Sequence, residues 1–514
     1  MAEAQSSSKR LARNTLVLYF RTLVIMFIGL YTSRVLLEAL GIDNYGIYNV
    51  IGGFVGMFAV ITGTLVATTQ RYLNVEIGKG DEGDPKKIFG VIFGIHFLLA
   101  VTMILLFETV GLWFLNNKLN IPPDRIFAAN WVYQLSVLSA VLSLFSTPYI
   151  GLIVAYERMK AFAFISLQDA ILKLVICYLL YVIPYDRLIV YASLFWAILM
   201  WNQCIYVYYS RRNFKEARIS IVREKELYRS MFGFAGMNFI GSFSYILSTQ
   251  GVNVILNMFF GVAINAARGV AIQVQNAIGR FTSDFMTALN PQITKEYAAG
   301  NHEKSVQLCL RGAKFSYYIM LLFTIPIIVR AHDILSLWLK VYPEYSVVFL
   351  RYTLWIALVG VVSQPFVTEL LATGQLKKTT WWIGGTRLLV LPLIYVCFKI
   401  WDSPVYAYIV VLAMDSLLFF VRLKILSDLI KLPILTLFVK NVLIGIVPIT
   451  LVSLLVSSVL HFVLPHSVLN LLIFCIISVI STTILVYFLG LQREERNTIN
   501  KFIMSKLNLY KSKN

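Results

Sequence analysis

Apolar runs broken by short polar stretches, or by glycine and proline, recur from one end of the chain to the other. A membrane-crossing helix needs about 20 mostly apolar residues, and fourteen windows qualify. They lie at roughly 15–37, 46–68, 88–113, 126–148, 162–183, 188–210, 230–257, 266–288, 308–330, 347–370, 379–399, 404–423, 434–460 and 467–489. The pattern predicts an all-α polytopic membrane protein of about 14 transmembrane helices joined by short connections. No small-residue cleavage site follows a short apolar core near Met1, so the first window is expected to stay as a helix.

The charges between the windows test this layout. With the N-terminus placed in the cytoplasm, 31 Lys and Arg residues fall in inner connections and 6 in outer ones. That is a positive-inside distribution, and miscounting one helix would destroy it. The count predicts an even number of helices and cytoplasmic N- and C-termini in a bacterial inner membrane.

Composition agrees. The chain of 514 residues is 58% apolar and 14% charged, against roughly 25% charged in soluble domains. Mean hydropathy is +0.74, which excludes an ordinary soluble enzyme, a disordered chain and a disulfide scaffold. The formal charge of +19 is carried mostly by inner connections and reads as topology, so no nucleic-acid partner is inferred. The five cysteines include no CxxC pair and the five histidines no HExxH spacing. No metal and no cofactor is expected.

Two weak internal repeats suggest how the segments are grouped. At an offset of 220, Leu36, Gly41, Val50, Thr62, Glu76 and Gly80 match Leu256, Gly261, Val270, Thr282, Glu296 and Gly300. At an offset of 217, STPYIGLIVAYERMK (146–160) meets SQPFVTELLATGQLK (363–377). The expected organisation is a six-helix bundle over 1–210, a basic cytoplasmic linker over 211–229, and a second six-helix bundle over 230–430. Two extra helices and a basic tail fill 431–514. Parallel repeats of this kind place a substrate path between the halves.

The connections are too short for a catalytic domain, so function must lie within the helices. Ionisable groups at bilayer depth cost a few kcal/mol on insertion scales and usually face a cavity or a partner. Here they are biased towards cations. The eighth segment carries Asn265, Arg268, Gln275, Asn276, Gly279 and Ser283 at helical spacing. Arg280 lies near mid-span, four residues from both Asn276 and Asp284. The seventh adds Gln250, Asn253 and Asn257. Two readings stand for these stripes: the wall of a water-filled cavity, or an interhelical hydrogen-bond network. Arg21 and Arg34 in the first segment either face the cavity or snorkel. Arg311 and Lys314 at the start of the ninth are either cavity or positive-inside residues. Asp169 and Lys173 form an i, i+4 pair, either self-neutralising or a lateral gate. Arg330, Arg351, Arg387 and Asp415 are further charges within segments.

A cationic cavity implies an anionic substrate, because guanidinium groups capture phosphate and pyrophosphate bidentately. A lipid-linked sugar pyrophosphate has that charge and a tail that remains in lipid. A drug-cation exporter would favour acidic residues instead. The stretches TSRVLLEALGIDNYGIYNVIGGF (32–54), STPYIGLIVAYERMKAF (146–162) and NPQITKEYAAGNHEKS (290–305) resemble the multidrug/oligosaccharidyl-lipid/polysaccharide (MOP) exporter superfamily. Within it they resemble the Wzx-type O-antigen and polysaccharide flippases of lipopolysaccharide biosynthesis. The resemblance implies a 6+6+2 helix layout, alternating access without an ATPase module on this chain, and functional arginines in the first and eighth helices. Arg21, Arg34, Arg268 and Arg280 stand in those helices. It also implies partnership with a polysaccharide polymerase and glycosyltransferases. Lipid II flippases of the superfamily have an Arg-Asp pair in the first helix. Arg21-Thr22 stands here, which argues against a peptidoglycan role.

The expectation is therefore a non-enzymatic flippase for an undecaprenyl-diphosphate-linked oligosaccharide, coupled to H+ or Na+ or to neither. The rivals are a cation-coupled multidrug antiporter of the same superfamily and an integral-membrane polysaccharide polymerase or ligase.

Overall fold

The computed structural model describes residues 2–57, 69, 72–73, 76, 82–156, 158–218, 220, 222, 224–375, 380–497 and 500. Of these, the side chains of 2–23, 159, 230, 232–243, 245, 288 and 380–381 lie outside the description. The described residues are helical, with no strand among them.

The helices are α1 (Ala2–Gly56), α2 (Pro85–Asn117), α3 (Ile126–Ala155), α4 (Met159–Val182), α5 (Arg187–Asn213), α6 (Lys225–Phe260) and α7 (Val262–Ala298). They continue with α8 (His302–Val329), α9 (Ala331–Leu339), α10 (Ser346–Ala372), α11 (Trp382–Ile400), α12 (Val405–Ile430), α13 (Ile434–Val463) and α14 (Val468–Gly490). Among the described residues, ten helices are long and apolar enough to cross a membrane. α6 and α7, of 36 and 37 residues, are not among the ten. They carry the polar faces described above, and only Ile246–Phe260 of α6 stands out as an apolar stretch.

The first two predicted segments meet at Gly41 inside α1, where a kink separates two helices. At Gly41 the backbone takes φ 77 and ψ 171, a region that only glycine enters without strain. Arg187 at the start of α5 donates from Nη1 to the Ala39 carbonyl at 2.9 Å. That carbonyl belongs to the turn where the bend interrupts the helical ladder. Residues 58–68 of the second predicted segment lie outside the described residues.

Contacts divide the chain into two compact units. The first comprises Met1–Gln273, Val341–Ser346 and Gly384–Ala407; the second comprises Val274–Lys340, Val347–Ile383 and Tyr408–Asn514.

In the first unit α1 packs against α3, α4 and α6, and α3 packs against α5. Ile47, Val50 and Ile51 of α1 are fully buried, as are Val132 and Tyr133 of α3. Close approach needs glycine at Gly46, where a Cβ would lie 2.0 Å from the Val262 carbonyl oxygen. Within this packing Asn253 donates to the Asn49 carbonyl at 3.0 Å, and Asn265 donates to the Asn253 carbonyl at 2.7 Å. Asn257 accepts from the Asn120 N–H at 2.8 Å and donates to its carbonyl at 3.3 Å. Asn49, Asn253 and Asn265 therefore form an interhelical hydrogen-bond network, and Asn257 ties α6 to the connection at Asn120.

In the second unit α8 is the central element, packed against α13 and α14. Two polar clamps fasten it, one near the middle of the helix and one at its C-terminal end. Lys314 Nζ meets Glu495 Oε1 and Oε2 at 2.7 and 2.6 Å. Arg330 is 1% exposed. It donates to Asp333 at 2.6 Å and to the His461 and Leu464 carbonyls at 3.2 and 2.6 Å, over the face of Phe474. Between the clamps, Tyr317 hydrogen-bonds Thr450 at 2.8 Å. The short helix α9, in a stretch expected as plain connection, buries Ala331, Leu335 and Leu339. Their i, i+4, i+8 spacing makes it amphipathic.

Candidate functional site

Two guanidinium groups converge on one turn of α6 in the first unit. Arg268 on α7 is 8% exposed and donates from Nη2 to the Thr249 carbonyl at 2.9 Å. Arg387 on α11 donates from Nε to Ser248 Oγ at 3.0 Å. Ser248 is itself buried, and Gln250 next in the chain is half-buried. The sequence placed Arg268 in the candidate set. Arg387 was visible only as one more cation in an apolar segment, because nothing in its own segment ties it to a residue 139 positions earlier.

The same unit holds a cavity of about 230 Å³. Ser136, Ser139 and Ser143 of α3 line one side, and Tyr48 and Phe195 line another. The serines recur at i, i+3, i+7 and so share one helical face. Ser146 continues the row and hydrogen-bonds Gln203. This hydroxyl ladder was legible as a period and was missed because serine is common in membrane helices. Phe195 also carries the Lys173 ammonium, 5.0 Å from its ring centre. Lys173 pairs with Asp169 at 2.7 Å, and Asp169 accepts from Asn202 at 2.8 Å. The expected i, i+4 pair is thus formed, with Asn202 of α5 as a third member.

The remaining candidates fall as follows. The Arg21 side chain lies outside the described residues. Arg34 is half-buried on the first leg of α1. On the part of α7 belonging to the second unit, Gln275, Arg280 and Asp284 are half-buried and Asn276 is exposed. Asn276, Arg280 and Asp284 follow one another at i, i+4, i+8 and share a face. In the middle of α8 Arg311 is exposed, whereas Lys314 is buried with its charge met by Glu495.

Outside the membrane segments, Asp186 marks the start of α5. Burial pushes its carboxyl up, but the Arg125 guanidinium at 2.6 Å and the Leu188 and Ile189 N–H groups outweigh this and hold it below its ordinary value.

The architecture has known counterparts. The inward-facing form of a multidrug-resistance MATE-family transporter of the MOP superfamily superposes with a TM-score of 0.62 at 14% identity, over 80% of this chain and 96% of that one. The lipid II flippase MurJ, in its inward closed conformation, gives 0.66 at 10% identity, over 92% and 98%. A MOP-superfamily transporter from Pyrococcus furiosus, whose binding pocket is described as reversed in polarity, gives 0.60 at 14% identity, over 82% and 96%. No family model and no curated relative matches the sequence. The chain thus has the fold of these transporters, with ten helices among the described residues long and apolar enough to cross a membrane.

Proposed function

We propose that this protein is a flippase that moves a lipid-linked oligosaccharide, with an undecaprenyl-diphosphate anchor, from the inner to the outer leaflet of a bacterial inner membrane. It works by alternating access and serves cell-surface polysaccharide synthesis of the O-antigen type. The observation that carries the reading is the convergence of Arg268 and Arg387 on residues 248–249 inside a largely apolar unit. Guanidinium groups are the side chains best suited to bidentate contact with pyrophosphate. Arg34 adds a further cation in the first unit; in the second unit, taken by itself, Arg280 and Arg311 are further cations, with Gln275, Asn276 and Asp284 as neutral and acidic groups along α7. The serine row with Tyr48 and Phe195 offers hydroxyl and aromatic surface to a glycan. An inside-negative potential favours export of an anion by roughly 2.3 kcal/mol per charge per 100 mV. The transporter fold supports a non-enzymatic role. Glycosyltransferases that build the lipid-linked glycan and a polymerase that consumes it are the partners this reading implies.

The test is binding of a polyprenyl diphosphate to the purified protein, with the Arg268→Ala and Arg387→Ala variants checked for correct insertion. Each substitution is expected to weaken retention about tenfold or more, the size of one charge-assisted contact. Unchanged retention in both removes the pair from the substrate path. The multidrug reading, which the MATE counterparts favour, predicts instead that cationic drugs bind and the diphosphate does not.

A further inference from the structure

In the second unit an acid lies buried without a Lys or Arg paired to it among the described residues. Glu369, near the end of α10, is 0% exposed. Its Oε2 meets Ser305 Oγ at hydrogen-bond distance and Cys309 Sγ at 3.6 Å, both on α8. Its Oε1 is buried with no hydrogen-bond partner. The titratable groups acting on it are Cys309 and His302, both from α8. α7 contributes the Ile293 carbonyl to the cluster, and no Lys or Arg among the described residues pairs with Glu369.

The hydrogens of this cluster can be counted. Ser305 has one hydroxyl proton and two oxygen neighbours, the Ile293 carbonyl at 3.1 Å and Glu369 Oε2. Cys309 has one thiol proton and two neighbours, the Pro365 carbonyl at 3.6 Å and the same carboxyl oxygen. A carboxylate here would have one neutral hydroxyl, one weak thiol donor and a bare second oxygen to offset its desolvation. Burying an uncompensated charge costs far more than that. A carboxylic acid satisfies the group: its O–H donates to Ser305 Oγ, and Ser305 donates on to the Ile293 carbonyl.

We infer that Glu369 is a proton-carrying site of this transporter, neutral in the conformation seen here and ionised when α7, α8 and α10 part and water reaches it. On ionisation the O–H bond breaks, the electron pair stays on the carboxylate and the proton passes to water. Closure around Ser305 and Cys309 takes a proton back. The inference rests on the transporter reading for its cycle and not on the identity of the substrate. By the Lys and Arg distribution, residues 302–305 and 369 lie towards the cytoplasmic end of their helices, so the enclosure of Glu369 seen here withholds the proton from that side.

Glu369→Gln is the informative variant, because its amide mimics the neutral acid and should fold with unchanged thermal stability. Infrared difference spectra of wild type against Glu369→Gln at neutral pH should show the C=O stretch of a protonated carboxyl present only in the wild type. Absence of that band overturns the inference. In proteoliposomes, an imposed pH gradient should accelerate wild-type translocation severalfold and leave Glu369→Gln unaffected. An equal response of both proteins overturns the inference as well. If the lipid diphosphate is not translocated at all, the proposed substrate fails, and the infrared result still decides the protonation state.

Discussion

Gly41 and Gly261 stand 220 residues apart and adopt the same backbone conformation, φ 77 and ψ 171 against φ 76 and ψ −173. Each lies at a helix break, the first within α1 and the second between α6 and α7. They are one of the residue pairs by which the sequence suggested an internal repeat, and they share one backbone geometry.

Both positions should therefore reject a side chain for the same reason. A Cβ at Gly41 would meet nothing within 4 Å, so the penalty is conformational. Gly41→Ala and Gly261→Ala are each expected to cost about 1–3 kcal/mol, the strain of a backbone region used essentially by glycine alone. Thermal unfolding of the purified protein checks this. Wild-type Tm in both variants would contradict the assigned backbone geometry.

Lys314 and Glu495 form a buried pair whose side chains are 4% and 9% exposed. Removing one partner strands the other charge, so Lys314→Met and Glu495→Gln should each destabilise by about 3–5 kcal/mol. The double variant Lys314→Met with Glu495→Gln should recover much of the loss, because neither charge is then left unpaired. A double-mutant cycle on stability measures the coupling, and strictly additive losses would show that the two residues act independently.

Acid should loosen the C-terminal end of α8. Burial raises the Asp333 carboxyl, but hydrogen bonds and charge from Arg330 and His466 overcome this and hold it below its ordinary value. A depressed carboxyl contributes stability that is present above its unfolded pKa, about 3.9. That stability is lost as pH falls through the lower folded value. The wild type should therefore lose stability on acidification below about pH 4 more steeply than Asp333→Asn, which lacks the contribution at every pH. Parallel curves for the two proteins would contradict the assignment.

The serine-lined cavity offers a test by filling. Ser139→Leu puts bulk into a space of about 230 Å³ and removes a hydroxyl from its wall. Translocation is expected to slow severalfold with the helical fold retained in circular dichroism. Wild-type rates would place the cavity outside the substrate path.

Much of the architecture was legible because bilayer-crossing segments must be long and apolar. The predicted window at 126–148 corresponds to α3, and 434–460 to α13. The bend at Gly41 fell in the gap left between the first two windows. Helix α9 was not anticipated, because nine residues with three buried positions resemble an ordinary connection. Site residues were harder to read. Lys314 looked like Arg311 in sequence, yet one is buried against Glu495 and the other is exposed. Their difference is set by a residue 181 positions further on, which no local pattern reveals. Asn253 and Asn257 fitted both a cavity wall and a hydrogen-bond network, and only the positions of Asn49 and Asn120 decide for the network. Glu369 carried one signal, a lone acid among apolar residues at the end of its segment.

The central claim is that the carried group is an anionic lipid diphosphate. Protein reconstituted into liposomes can be offered a fluorescent polyprenyl-diphosphate oligosaccharide and, separately, a fluorescent cationic drug, with leaflet crossing followed by quenching from outside. The account predicts crossing of the lipid diphosphate that Arg268→Ala suppresses, and no protein-dependent movement of the drug. Drug movement without lipid crossing would contradict it.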